Sequence, residues 1–265
     1  MLGVSLSYGC LISDNGGYGM PIADFLSALK QKGVGSIELR AVPSGENPER
    51  VLKAAQCVWN AGMDITVHGT LRSGEDIAER VLEPLKQVMS VMKQERLNVT
   101  VHPFEGDVVA PLRTLLEASD GYPVQYALEN NRKSPNPEKP DCAVYAEEIV
   151  SEINHPMLGI CFDMGHYAFN HKTMPELVPA LPSEAFLKRV FHTHIHALSE
   201  QNQTHFPLFA HELPLSDYLA ALLPTYRGIC NLELEPRRWT DRYEAGEAIL
   251  LSIDTLKDTL SKLAH

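Results

Sequence analysis

Short β-branched apolar runs alternate along this chain with amphipathic segments about a dozen residues long, the order expected of parallel strands joined by helical crossovers. Eight such runs predict strands at Gly3 to Ser7, Ser36 to Leu39, Ile65 to His68, Val99 to His102, Gln125 to Glu129, Gly159 to Asp163, Val190 to His196 and Ile229 to Glu233. Between them, apolar positions recur at helical spacing. In PERVLKAAQCVWNAG, Val51, Leu52, Ala55 and Val58 share a face and Gly62 supplies the stop. IAERVLEPLKQVMSVMKQER, SDYLAALLPTY and EAILLSIDTLKDTLSKL read the same way, with Ser216 as the cap of the second of these. No linker or low-complexity stretch interrupts the series. It predicts an α/β fold, a single (β/α)8 TIM barrel domain over residues 1–265.

Three strand-to-helix connections are long: Tyr8 to Pro21, Asn131 to Asp141 and Ala197 to Leu213. All fall at the strand ends where such barrels do chemistry, and Gly16, Gly17 and Gly19 are candidate hinges for the first.

Composition bounds the rest. A length of 265 residues and 44% hydrophobic content suit one barrel with a full core. Twenty-three basic against 34 acidic residues give a net charge of −11, which repels polyanions and argues against nucleic-acid binding. The five cysteines are scattered without a CxxC pair, so neither a disulfide framework nor a thiolate zinc knot is indicated, and a reducing cytoplasm is the expected home. MLGVSLSYGC reads as a first strand from Leu2 to Ser7, not as a signal, and no apolar run predicts a membrane span. Apolar helix faces leave self-association into a homo-oligomer open.

The chemistry gathers at the strand ends. His68, His102, Glu129, Asp163 and His166, His194, and Glu233 close six of the runs with metal-binding residue types. One such residue alone is ordinary. Together, in adjacent strands, they need partners or an ion to offset desolvation. Glu129, Asp163, His194 and Glu233 form a carboxylate-rich set suited to manganese, cobalt or magnesium, while His68 and His102 with Glu129 suit zinc; no organic cofactor is indicated. His192, His194 and His196 alternate with period two, so all point one way. His194 is the first choice, His196 the alternative, and His192 lies deeper. Glu233 and Glu235 pose the same choice, with Glu235 expected to begin the loop.

At these residues the chain resembles the xylose isomerase-like barrel superfamily, which includes sugar-phosphate isomerases, keto-sugar 3-epimerases and endonuclease IV-type apurinic endonucleases. ALEN at Glu129, the Asp163-Met-Gly-His166 spacing, the HTHIH run and YRG-ICNLE carry the likeness, which covers nearly the whole chain. The epimerase branch implies one divalent metal at Glu129, Asp163, His194 and Glu233, with His166 touching substrate. The endonuclease branch, with three zinc ions, implies His68, His102 and Glu129 for one site and the same four residues for another. Its third site is incomplete here: the matching stretch reads Gln203-Thr204-His205, so His205 stays while an amide replaces the carboxylate. Ala197 also stands where an acidic residue often follows HxH.

The expected function is therefore a metal-dependent isomerase or epimerase of a small sugar, sugar phosphate or sugar acid, with Glu129 and Glu233 exchanging a proton and His166 polarising a substrate oxygen. Glu38, His205 and Arg237 are further expected substrate contacts, and Glu38 could instead orient one of the other groups. Arg132, Lys133, Arg238 and Arg40 are alternative anchors for an anionic substrate group. The competing expectations are an endonuclease IV-like phosphodiesterase and a barrel that only binds a small ligand.

Overall fold

The structure, a computed structural model, describes residues 1–13, 17–43, 45–69 and 77–264; Gly16, one of the expected hinges, lies outside them. Strands β1 (Leu2–Ser7), β2 (Val34–Val42), β3 (Asp64–Gly69), β4 (Leu97–Val101), β5 (Val124–Glu129), β6 (Leu158–Asp163), β7 (Val190–Ile195) and β8 (Cys230–Leu232) form a closed parallel barrel. Each strand pairs with its neighbours in sequence, and β8 returns to β1. Around it run α1 (Tyr8–Leu11), α2 (Ile22–Gln31), α3 (Pro48–Asn60), α4 (Ile77–Leu82), α5 (Lys86–Val91), α6 (Val109–Ala118), α7 (Cys142–Ile153), α8 (Met164–Thr173), α9 (Glu184–Lys188), α10 (Leu215–Leu222) and α11 (Ala245–Leu263).

Side-chain alternation along the strands divides two environments. Ile37, Leu39, Val67, Val99, Val101, Leu128, Phe162, Ile195 and Leu232 are fully or almost fully buried on one face. Phe162 shows where that face looks: its ring meets Tyr167, Phe186 and Tyr218 edge-on, on the surrounding helices. The alternate positions carry Ser5, Glu38, Thr66, His68, Thr100, Glu129, Asp163, His192, His194 and Asn231, all buried as well. Barrels of this kind are ordinarily filled with branched aliphatic side chains. A polar filling has to be held together by hydrogen bonds or ions.

Local signals set most helix ends. Asn47 caps α3 by accepting from the Glu49 N–H, Pro48 starts it, and Gly62 with φ of 72° ends it. Two expectations change. The continuous helix expected over 77–96 is divided into α4, a 3-10 turn at Glu83–Leu85 and α5, because Pro84 lacks an N–H and its ring clashes with the preceding turn. Ser216 is not a cap: α10 begins one residue earlier, and Pro214 occupies the cap position. Among the described residues no helix is long and apolar enough to cross a membrane, and all five cysteines are free thiols.

Candidate metal centre

His68, Glu129, Asp163 and His194 sit at the ends of β3, β5, β6 and β7, while His102, His196 and Glu233 each lie one residue past a strand. Because the strands are parallel and in register, these side chains meet at one end of the barrel. Glu129 is central. Its Oε2 lies 3.3 Å from His68 Nε2, 3.1 Å from His102 Nε2 and 3.2 Å from His194 Nδ1, and its Oε1 lies 3.1 Å from His166 Nδ1. Glu233 Oε2 is 3.2 Å from the same His194 nitrogen and 3.4 Å from His205 Nε2. Asp163 Oδ2 is 3.1 Å from His166 Nδ1 and 4.0 Å from His194 Nδ1, while its Oδ1 is 3.1 Å from His196 Nε2.

Neighbouring elements aim these groups. Asp163 caps α8, accepting the His166 N–H at 2.6 Å, so helix start and candidate ligand are one residue. Asn130 holds the Asp163 backbone from both sides, its amide donating to Asp163 O and its oxygen accepting from Asp163 N, each at 2.9 Å. The connection after β7 folds back through antiparallel bridges between Ala197 and Phe206 and between Leu198 and Glu212. This return brings His205 over the site at φ of 67°. The Glu235 N–H and the Trp239 indole N–H both donate to its carbonyl at 3.0 Å. Gly165 leaves room for the His196 ring, since a Cβ there would fall 1.9 Å from Cε1.

Burial alone would raise the carboxyl groups of Glu129 and Glu233, yet the facing imidazoles outweigh it and hold both well below the usual carboxylate range. His205 moves the other way: burial, with the charge of His196, pushes it down to about 4. Several of the closest approaches are not hydrogen bonds. Asp163 Oδ2, both nitrogens of His166, His194 Nδ1, His196 Nε2 and Glu233 Oε2 are buried without a hydrogen-bond partner, although opposite atoms stand at ion-pair distance. Their N–H directions miss the oxygens. Lone pairs that converge without a shared proton are the arrangement a divalent cation satisfies, so the residues fit one.

Among the described residues, clusters with mutually close donor atoms include His68, His102 and Glu129; His68, His194 and Glu233; Asp163, His166, His196 and His205; Glu129, Cys161 and His194; and Glu38, His192 and His194. Of the expected four-residue set, Glu129 and Glu233 approach His194 Nδ1 at 3.2 Å each and Asp163 approaches it at 4.0 Å, but Asp163 falls in a different cluster from the other three; the residues of the expected second set adjoin through Glu129. Six imidazoles, His192 aside, make the centre richer in nitrogen than the four-residue set taken from the sequence. His166 and His205 lie together, and the nearby carboxylate is one expected in the four-residue set. Asp163 stands with them, and Gln203 is exposed. His196, held only as an alternative in the sequence, joins that cluster because it follows His194 by two residues and faces the same way.

Other residues fall elsewhere. Glu38 is in the middle of β2, fully buried, where it meets His192 and His194. Arg237 has an 82% exposed side chain paired to Glu235. Glu235 lies past β8 and turns to Arg40, away from the cluster. Arg132 and Lys133 line a separate cavity of about 710 Å³ beside Phe169 and Met174, and Arg238 donates to Thr204. The Arg40–Glu235 pair was missed in the sequence, since nothing local links residues 195 positions apart.

A family model described as xylose isomerase-like TIM barrel matches residues 26–259. A comparison with curated proteins finds no match. Among solved structures, a xylose isomerase domain protein from Alicyclobacillus acidocaldarius has a TM-score of 0.65 at 12% identity, covering 100% of this chain and 99% of that one. D-psicose 3-epimerase with D-tagatose from Clostridium cellulolyticum H10 has a TM-score of 0.65 at 12% identity, covering 97% and 99%. A xylose isomerase-like TIM barrel protein from Mycobacterium smegmatis in complex with magnesium has a TM-score of 0.65 at 14% identity, covering 100% and 97%. At such identities the solved structures speak for the fold alone. The family model spans most of the sequence, and on it this chain belongs to the xylose isomerase-like TIM barrel family.

Proposed function

We propose that the protein is a divalent-metal-dependent isomerase or epimerase of a small sugar, sugar phosphate or sugar acid. The observation that carries this reading is the approach of two buried carboxylates, Glu129 and Glu233, to one nitrogen of His194 at 3.2 Å each, inside a ring of imidazoles with unshared lone pairs. Glu129, Asp163, His194 and Glu233 would hold the ion, with His68 and His102 beside Glu129 as donors for a second. When bound, the ion would withdraw electrons from a substrate carbonyl and make the adjacent C–H more acidic. Glu129 and Glu233 would then take up and return that proton as base and acid. His166, with neither nitrogen hydrogen-bonded, would bind a substrate oxygen. His205, which titrates near 4, stays neutral at physiological pH and would hydrogen-bond a hydroxyl. That a fold relative is a D-psicose 3-epimerase solved with D-tagatose supports a sugar substrate.

One observation favours a second reading, metal-dependent phosphodiester hydrolysis: a single oxygen of Glu129, Oε2, is approached by His68, His102 and His194 at 3.3, 3.1 and 3.2 Å, and would be a shared donor if two ions were bound. The net charge of −11 weighs against a polyanionic substrate. The test is proton exchange. Purified protein loaded with manganese, cobalt or zinc is incubated in deuterated water with a panel of ketoses, ketose phosphates and keto sugar acids, and exchange is read by NMR. Exchange by the wild type and its loss in Glu129→Gln and Glu233→Gln are expected. No exchange across the panel, together with cleavage of abasic DNA, would establish the hydrolase instead.

A further inference from the structure

Beneath the converging carboxylates lies a second polar layer that the proton-transfer scheme does not use. Glu38 Oε2 is 2.9 Å from His192 Nε2 and 3.0 Å from His194 Nε2. Its Oε1 accepts the Ser5 hydroxyl at 2.7 Å, and the Ser5 oxygen accepts from Asn231 Nδ2 at 2.8 Å. Strand register builds this layer: Ser5 lies opposite Glu38 across β1 and β2, and Asn231 lies opposite His194 across β7 and β8. Every member is at most 3% exposed, so water does not compete for these bonds.

An ionised carboxylate can only accept, so each imidazole that meets Glu38 does so with its proton on Nε2. A neutral imidazole protonated there carries its lone pair on Nδ1. In His194, Nδ1 is the atom that faces Glu129 and Glu233 at 3.2 Å and lacks a hydrogen-bond partner. The two ends of one ring are thus assigned opposite tasks by what surrounds them.

We infer that Glu38 is a positioning residue that fixes the Nε2–H form of His194, so that Nδ1 is presented to a divalent cation shared with Glu129, Asp163 and Glu233. Ser5 and Asn231 hold the carboxylate in place, and His192 occupies the rest of the Oε2 acceptor. The inference rests on the metal-dependent reading above.

Glu38→Gln separates this role from mere packing, because the amide keeps its shape and an acceptor oxygen but loses the charge that makes the imidazole a better donor. Outer partners of this kind are worth about 10- to 100-fold in metal affinity. The probe is cobalt(II), which reports both affinity, by titration, and the nature of its ligands, by visible absorption. We expect Glu38→Gln to bind cobalt at least about tenfold more weakly, with displaced absorption bands, while its ion-free circular dichroism matches the wild type. A folded Glu38→Gln with wild-type affinity and bands overturns the inference and leaves the metal reading intact. A wild type that binds no cobalt, zinc or manganese overturns both. If Glu38→Gln does not fold, Ser5→Ala decides: the freed carboxylate should weaken cobalt binding and move the same bands, and unchanged binding and spectrum overturn the inference.

Discussion

Gly165 gives the most direct test of how the centre is packed. A Cβ built there falls 1.9 Å from His196 Cε1, 2.1 Å from Nδ1 and 2.6 Å from Nε2. Carbon atoms pack at about 3.5–4.0 Å, so in Gly165→Ala the ring has to retreat by roughly 1.5–2 Å. It has nowhere to go. His205 stacks on it with ring centroids 4.2 Å apart, and the His205 N–H donates to its Nδ1 at 2.9 Å. Overpacking of this kind costs about 1–3 kcal/mol. Alanine in place of glycine within α8 returns up to about 1 kcal/mol of helix propensity. The net expectation is a loss of about 1–2 kcal/mol, a fall in Tm of about 3–6 °C, measured by thermal denaturation without added metal. Divalent-ion affinity should fall as well, because the displaced ring abandons its 3.1 Å approach to Asp163. Gly9→Ala is the control, since its Cβ meets only Ser7 Oγ at 3.9 Å. A Gly165→Ala protein as stable as wild type, with unaltered ion binding, would refute the packing described here.

Other outcomes follow from the same geometry. Adding manganese or zinc at a hundredfold its Kd should stabilise the protein by about 2.7 kcal/mol and raise Tm by about 5–10 °C, with EDTA reversing the shift; a Tm indifferent to both would count against a cation at this centre. Arg40→Met leaves the Glu235 carboxylate, which is 7% exposed, with only the exposed Arg237 as a partner among the described residues and should cost about 1.5–3 kcal/mol at neutral pH by denaturant titration; wild-type stability would show the pair to be idle. Burial pushes the Glu235 carboxyl up, but the hydrogen bond and charge of Arg40 outweigh it and set its folded pKa below the ordinary carboxylate value. Its contribution is therefore complete above about pH 4.3 and lost as pH falls through the lower folded value, and Arg40→Met should flatten that acid-side loss. Asn154 ends α7 at φ of 45° and ψ of 52°, so Asn154→Ala should lower stability by about 1 kcal/mol while Asn154→Gly leaves it near wild type.

Much of the fold was legible because its signals are local. Alternation of apolar side chains marks a strand without reference to any other strand, and Asn47-Pro48 at one end of α3 with Gly62 at the other needs only neighbouring residues. The failures are equally physical. Apolar periodicity ran straight through Pro84 although the backbone hydrogen-bond ladder could not. Ser216 is a good cap by type, yet α10 already begins at Leu215, with Pro214 at the cap position.

The amino-acid sequence by itself determined the eight parallel strands, their order, and the gathering of histidines and carboxylates at one end, since parallel strands in register carry equivalent positions to one level. Only the tertiary structure decided how those groups divide. Glu38 and His194 are 156 residues apart, and His166, His196 and His205 come from α8, the end of β7 and the loop beyond it. Whether a carboxylate faces substrate or lies beneath a ligand, and which nitrogen of a ring is left with its lone pair, depends on distances of about 3 Å across a closed barrel. Such distances are fixed by closure, twist and packing acting together, and no local pattern contains them.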